Sequence, residues 1–474
     1  KCQRDEAGCV IELPEDAAIM ADQQFIDALE HLDEVGSLLD PTEAQLAALR
    51  ADANRFASEA GGSSLFKSNL GEKLQDALRV CEALARKFDC VVANPPYMGS
   101  SSFSPFMSKW IKKNYPNVKS DLFSSFIVRI MDYASERGEA GIMCPFVWMF
   151  IGSYEKLREK MINEKTITSL IQLEYSGFAG ATVPICTFTF HNGYVDGYKG
   201  GYVRLSDFVG AAVQAPKTRE AIANPDCGYF YRRNAKTFTQ IPGTPIAYWI
   251  GRGLLKAFSE ESLSGVAALK MGLSSGDNSR FYRYFWEVDV GLINVDCREY
   301  ELAGTNGLKW YPINRGGEFR KWYGNLISVV NWTNKGKAIK SFTKNGRLAS
   351  RPQNLEWSFK EGLSWNLITS GATSTRYIPA GAMFDQAGCM AFVRDENCML
   401  TVLGLMNSSV AAETLQLLNP TLNCPPGVMG LLPVIVRGGE PLAACDIVSS
   451  NVAISKLDWD SFETSWDFKR HPLL

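Results

Sequence analysis

The stretch from Phe88 to Tyr97, FDCVVANPPY, sets an amide, two imino acids and an aromatic ring directly after a short apolar run. Proline cannot donate to a sheet ladder, so Pro95 and Pro96 lie beyond the strand that the apolar run predicts. Proline also biases its predecessor toward extended geometry, which sets how Asn94 and Pro95 leave the sheet. The expected product is a stiff rim at the carboxyl end of a strand, the place where open α/β sheets bind ligands. A strand-terminating turn with Tyr97 as a half-buried anchor is the plainer reading. The chemistry the set suits is methylation of an exocyclic amine or amide nitrogen, whose lone pair is delocalised and weakly nucleophilic. The Asn94 side-chain oxygen and the Pro95 carbonyl can each accept one N–H, drawing that nitrogen toward tetrahedral geometry. Catalysis then comes from orientation and electrostatics rather than from acid–base chemistry. Tyr97 can stack on a flat substrate, and stacking returns roughly 1–3 kcal/mol per base.

The rest of the composition fits a catalyst without titrating machinery. Only three histidines exist, at 31, 191 and 471, far apart and near no cluster with metal-ligand spacing. Zinc chemistry and a Ser-His-Asp triad are disfavoured, and no metal is expected. The twelve cysteines are scattered singly and none forms C-x-x-C, so they read as reduced core thiols of a cytoplasmic protein. Apolar runs such as Val428–Val436 are too short to span a bilayer, so no membrane is expected.

Positioning the rim requires a sheet, and the surrounding pattern predicts one. Residues 14–60 read helical, and a helix from Leu70 to Lys87 leads into a strand at 89–94. Ser120-Asp121 offers an N-cap for an amphipathic helix that Gly138 stops. Strands follow at 140–145, 168–175 and 182–190, with a helix from Tyr154 to Asn163 between the first two. The fold class expected is α/β: half of a doubly wound sheet ending in a hairpin, followed by a mixed α/β domain. The expected divisions are 1–88, mostly helical and acidic; 89–250, the half sheet that carries the rim; 251–445, the mixed domain; and 446–474, a connecting segment. No glycine-rich loop after a strand is visible upstream of Asn94.

Charge is unevenly spread. Residues 1–60 hold 4 basic and 14 acidic side chains, whereas 301–350 hold 9 basic and 2 acidic. The basic segment includes Lys309, Arg315, Arg320, Lys321, Lys335 and Lys337, interleaved with Trp310, Tyr311, Trp322, Tyr323 and Trp332. Cations mixed with flat rings suit a polyanion partner. A solvated face with structural tryptophans accounts for the pattern equally well. Thr373, Ser374 and Arg376, beside a glycine, are additional candidate contacts.

The motif NPPY resembles that of amino-group methyltransferases using S-adenosylmethionine, above all the adenine-N6 DNA enzymes. Longer segments, among them KNYPNVKSDLFSSFI (Lys113–Ile127), WMFIGSYEKLREKM (Trp148–Met161), GLSSGDNSRFYRYFWEV (Gly272–Val288), TSGATSTRYIP (Thr369–Pro379) and DWDSFETSWDFKRHPL (Asp458–Leu473), resemble the large methyltransferases of bacterial BREX phage-defence systems, the PglX family. The resemblance implies that the half sheet is part of a Rossmann-like class I methyltransferase sheet, with 89–250 the substrate side of the methyltransferase domain and 251–445 a target-recognition domain. It implies methyl transfer to adenine N6 in double-stranded DNA, with host marking and phage restriction as context and other phage-defence proteins as partners. It implies Asn94, Pro95, Pro96 and Tyr97 as the catalytic motif, Asn94 and Asp121 beside the cofactor, and a second aromatic that sandwiches the flipped base. Phe190 fits that last role best, ahead of Phe188 and Phe178. Asp121 is equally readable as an N-cap without ligand contact. Family members are longer and carry a glycine loop upstream of NPPY, so these 474 residues alone are expected to bind cofactor poorly and to be inactive. The alternatives are a type IIG-like restriction–modification methyltransferase, a non-catalytic DNA-reading or protein-docking module, and, disfavoured by the 284 residues beyond Phe190, a protein glutamine methyltransferase.

Overall fold

The computed structural model describes residues 3–4, 10–11, 13–59, 65–175, 183–368, 373–419, 423–434, 445–471 and 473. The chain divides into two units, Lys1–Phe238 and Thr239–Leu474.

The first unit opens with helices α1 (Gln23–Glu30), α2 (Glu43–Glu59) and α3 (Leu65–Leu84). The sheet follows as β1 (Phe88–Ala93), α4 (Pro105–Asn114), α5 (Leu122–Tyr133), β2 (Ala134–Pro145), α6 (Glu155–Glu164), β3 (Thr166–Gln172), β4 (Ile185–His191), β5 (Gly200–Arg204), α7 (Ala211–Ala223) and β6 (Phe230–Arg233). Spatial order is β1-β2-β4-β3-β5-β6. β1 lies parallel to β2, β4 runs antiparallel to both its neighbours, and β3 lies parallel to β5. The hairpin expected from the turn and alternation after residue 175 is the β3–β4 pair.

Helix α5 starts where its sequence says it should, because the Asp121 carboxylate accepts the Phe123 N–H at 3.3 Å. Its apolar stripe then buries Leu122, Phe123, Ile127, Ile130 and Met131. The other end differs from expectation. Helix α5 ends at Tyr133, and Gly138 lies inside strand β2, not at a helix stop. There β1 and β2 slip register between Phe88 and Cys90, and a Cβ on residue 138 would sit 3.0 Å from the Phe88 carbonyl oxygen. Gly138 is thus a close approach of two backbones at a strand irregularity.

Burial alternates along the central strands, with Cys186, Phe188 and Phe190 of β4 enclosed and Thr189 between them exposed. The open face carries hydroxyls: Thr189 Oγ1 lies 2.7 Å from both Thr168 Oγ1 and Ser169 Oγ. A doubly wound sheet covered on both faces reads as continuous apolar runs. Among the described residues, β4 is instead half-buried in period two. Strand β1 is the edge of this sheet, and Val92 on it is 79% exposed.

The second unit contains β7 (Ala267–Lys270), β8 (Tyr282–Tyr284), β9 (Trp310–Asn314), β10 (Trp322–Tyr323), β11 (Ser328–Asn331), α8 (Thr333–Lys340), β12 (Thr343–Lys344), β13 (Arg347–Leu348), β14 (Gly362–Asn366), β15 (Thr375–Ile378), β16 (Met383–Phe384), β17 (Gly388–Val393), α9 (Met399–Met406), α10 (Ser409–Leu418) and α11 (Cys445–Trp459). Two mixed sheets form, in orders β8-β11-β9-β16 and β10-β15-β14-β17-β7. Trp365 is fully buried, and its indole N–H donates to the Cys424 carbonyl at 2.8 Å, which is how a core tryptophan satisfies its one donor. Gly272 passes so close to β16 that an added Cβ would meet the Phe384 carbonyl oxygen at 2.1 Å. Gly272→Ala must therefore push two backbones apart, at a cost of about 1–3 kcal/mol. The expected readout is a lower denaturant midpoint for this unit at unchanged slope.

Candidate active-site rim

Asn94 follows the last residue of β1, exposed, and Pro95 behind it is buried while Pro96 is exposed. The two imino acids carry the chain off the sheet, and Tyr97 folds back over its end. The Tyr97 hydroxyl lies 3.0 Å from Asn94 Oδ1 and 3.3 Å from the Met143 carbonyl oxygen of β2, and can donate to either. Burial is the main reason the Tyr97 phenol is pushed up to about 12, so it stays a neutral donor at physiological pH. The Asn94 amide is held by this contact and keeps a free lone pair on Oδ1 for a further donor. Tyr97→Phe keeps the ring and removes the O–H that orients Asn94. A loss of about 3–30-fold in turnover is expected, in line with one hydrogen bond of about 0.5–1.5 kcal/mol plus some disorder of the amide. Single-turnover kinetics on the full-length protein measure it.

Asp121 joins the same rim. The segment Met98–Ser100 lies against Ser120–Leu122, with Ser100 N–H donating to Ser120 O at 3.0 Å and Leu122 N–H to Met98 O at 2.9 Å. The Asp121 carboxyl is raised by partial burial, against lowering by hydrogen bonds from Phe123, Met98 and Leu122. It caps α5 and lies on the rim, which places it where a ligand contact could be made without deciding that it makes one.

The stacking candidates fare differently. Phe190 is fully buried, at 0% exposure, and Phe188 at 1%; both pack in the enclosed face of β4, with ring centroids 6.2 Å apart. Neither presents a face to a ligand, because their strand positions point into the core. Phe178 lies outside the described residues. Phe146, which the sequence reading did not single out, is half-buried directly after the end of β2, the strand whose Met143 carbonyl faces Tyr97. Its signal was there to find: Cys144-Pro145-Phe146 repeats, on the neighbouring strand, the strand-proline-aromatic pattern of β1.

The basic candidates all lie in the second unit, and several are engaged there. Arg376 is fully buried; its guanidinium donates to Asn366 Oδ1 at 2.7 Å and to the Arg320 carbonyl at 3.2 Å, and burial, then Arg320, lower it to about 10. Arg320 pairs with the Asp458 carboxylate and lies over the Trp459 ring, and Lys321 donates to the Asn407 carbonyl at 2.8 Å. Arg315 contacts Asp385 at 3.4 Å and lies over Tyr282. Ser374 is buried, and Thr373 is half-buried. As a correction, Arg376 and Ser374 are core residues, and Arg315, Arg320 and Lys321 are tied down within the fold. Three aromatics of the basic segment belong to the core as well: Tyr311 and Trp332 are fully buried and Trp310 nearly so, while Trp322 and Tyr323 are half-buried. Lys309, Lys335 and Lys337 remain exposed. Among the described residues no group of three or more potential metal ligands occurs, and no single helix is long and apolar enough to cross a membrane.

Residues 29–178, which include the whole rim, match the Eco57I restriction-modification methylase family. Over 409 residues, 85% of the chain, the sequence is 34% identical to the adenine-specific methyltransferase PglX of Lacticaseibacillus casei (strain Zhang). Over 445 residues, 93% of the chain, it is 30% identical to the adenine-specific methyltransferase BrxX of Escherichia coli O9:H4 (strain HS). These matches take in 34% and 35% of the two relatives, so the chain spans about one third of the length of the curated relatives it matches. Among solved structures, the type IIL restriction-modification enzyme MmeI in complex with DNA is similar in fold, with TM-score 0.50 and 12% identity over 90% of this chain and 57% of that one. The chain is thus related over most of its length to adenine-specific methyltransferases.

Proposed function

We propose that the chain is part of a BREX-type, site-specific DNA adenine-N6 methyltransferase that acts in phage defence, with the first unit supplying the substrate side of the methyl-transfer site and the second unit reading DNA. The observation that carries this reading is the Asn94–Tyr97 rim, with its amide exposed at the end of β1 and oriented by a neutral phenol. The relationship to PglX and BrxX supports adenine as the substrate base.

In this reading the adenine N6 amino group donates one N–H to Asn94 Oδ1 and the other to the Pro95 carbonyl. Both acceptors pull the nitrogen out of conjugation with the ring and free its lone pair. Tyr97 lies under the base and Phe146 is the candidate for the opposite wall. Extruding the base from the duplex costs a few kcal/mol, which these contacts offset. S-adenosylmethionine, when bound, supplies an electrophilic methyl group on a sulfonium. The residues present fit one side of that molecule: the Asp121 carboxylate offers an acceptor to its cationic end. Upstream of β1 the described residues 13–59 and 65–84 are mostly helical, and no glycine-lined turn from a strand is among them.

The test uses the full-length protein expressed in a host lacking adenine methylation. Sequencing that detects N6-methyladenine is expected to find it at one recurring site, and the Asn94→Ala protein to leave that site unmodified. Methylation of a protein glutamine, or no DNA methylation by the wild type with its partner proteins present, overturns the reading.

A further inference from the structure

Once Arg315, Arg320, Lys321 and Arg376 are assigned to internal contacts, two exposed cations of the basic segment, Lys344 and Arg347, stand side by side at another place. Strands β12 and β13 form a two-stranded ribbon joined by Asn345-Gly346, with φ of 53° and 74°. Two consecutive positive φ values make a type I′ turn, whose twist matches that of the strands it joins. Every residue from Thr343 to Leu348 is exposed, Leu348 at 60%.

Lys344 and Arg347 occupy directly paired positions, so their side chains leave the same face of the ribbon. Like charges opposite each other destabilise a strand pair, and a lone two-stranded hairpin is marginal to begin with. Neither cation makes an ion pair among the described residues. The carboxylate nearest in effect is Asp277, which is occupied capping Arg280 at 3.1 Å and accepting from Ser279 at 2.7 Å. The facing cations thus weaken the hairpin without serving its packing.

The base of the ribbon, by contrast, is anchored. Ala349 N–H donates to Phe342 O at 2.9 Å, the buried Ser350 hydroxyl to Ile339 O at 2.6 Å, and Arg351 and Ser274 exchange backbone hydrogen bonds at 2.8 and 2.9 Å. Phe342 packs edge-on to Phe281 at 5.4 Å. Gly276 lets the neighbouring chain pass, since a Cβ there would sit 2.7 Å from the Ala349 backbone. A fixed stalk therefore carries a free cationic tip, with the exposed Arg280 lying over Phe342 at its base, 5.2 Å from the ring centroid.

A major groove about 12 Å wide admits a two-stranded β-ribbon. We propose that the Thr343–Leu348 ribbon enters a groove of the target duplex and that Lys344 and Arg347 donate to acceptors on base edges, making this ribbon a determinant of sequence recognition. The proposal rests on the reading of the chain as part of a DNA-acting enzyme.

The experiment measures binding of the full-length protein to two duplexes by fluorescence anisotropy, one carrying the site mapped by methylation sequencing and one with that site scrambled. Lys344→Ala/Arg347→Ala is expected to weaken binding to the site duplex by about 10–100-fold, with far less change on the scrambled duplex and an unchanged melting midpoint. Arg347→Lys keeps the charge but loses the planar fork, and is expected to lose discrimination between the duplexes as well. Wild-type discrimination in both variants overturns the proposal. So does an equal weakening on both duplexes with a shallower salt dependence, which is the signature of phosphate contacts alone. A wild-type protein that binds neither duplex fails the underlying DNA reading instead, so the two failures are separable.

Discussion

Asn94→Ala in the full-length protein is expected to lower adenine methylation by about 10²–10³-fold or more, the size of effect seen when a preorganised polar group at a reacting centre is removed. Its melting midpoint is expected to stay close to that of the wild type. The two halves of the expectation come from the same geometry. Asn94 is exposed at the end of an edge strand, and its side chain is met by the Tyr97 hydroxyl, which keeps the Met143 carbonyl at 3.3 Å as an alternative acceptor. Deleting the amide therefore leaves no orphaned donor in the fold. What is lost is an acceptor aimed outward. A variant that methylates at near wild-type rate, measured by single turnover, rules out the assigned role. A variant that melts many degrees lower shows that the amide holds the rim together instead.

Arg129→Leu is expected to have the opposite profile, a loss of about 3–5 kcal/mol in the stability of the first unit, as when several buried acceptors lose the donor they share. Arg129 is 1% exposed on α5. Its guanidinium donates to Ser37 O at 3.0 Å, to Leu39 O at 2.8 Å and to the Leu84 carbonyl at the end of α3, and it pairs with Asp40 at 2.6 Å. It also lies 3.9 Å from the centroid of the Tyr133 ring. One side chain thus ties the acidic helical segment and the end of α3 to the helix that begins at the rim. Leucine fills the volume but orphans those carbonyls, and an unmet buried acceptor costs about 1–3 kcal/mol. Asp40 is half exposed and rehydrates, so the loss comes from the carbonyls. Urea unfolding followed by tryptophan fluorescence measures it; a loss below about 1 kcal/mol means that water reaches the carbonyls and the network is dispensable.

The local parts of this protein were legible from the chain. A run of apolar residues ended by Asn94 and two prolines dictates a strand and an abrupt exit, because proline lacks the donor a ladder needs. Asp121 ahead of an amphipathic stripe dictates a helix start, because a short carboxylate can meet the free N–H groups of the first turn. Both signals are short-range, and the structure places them together through the pairing of Met98–Ser100 with Ser120–Leu122.

The fate of the charged and aromatic side chains was decided only by tertiary structure. Sequence marks Arg320 and Arg376 as cations but is silent about partners that arrive from elsewhere in the chain. Asp458, 138 residues from Arg320, and Asp385, 70 from Arg315, turn apparent surface charges into internal ties. Phe190 was chosen for lying on a late strand, yet strand period two sends it into the core and Thr189 outward. Hydrophobic period and turn chemistry are properties of neighbouring residues, so they can be read from one chain. Whether a given Arg or Phe faces ligand or core depends on which distant segment covers it, and that is settled when the sheets and helices pack.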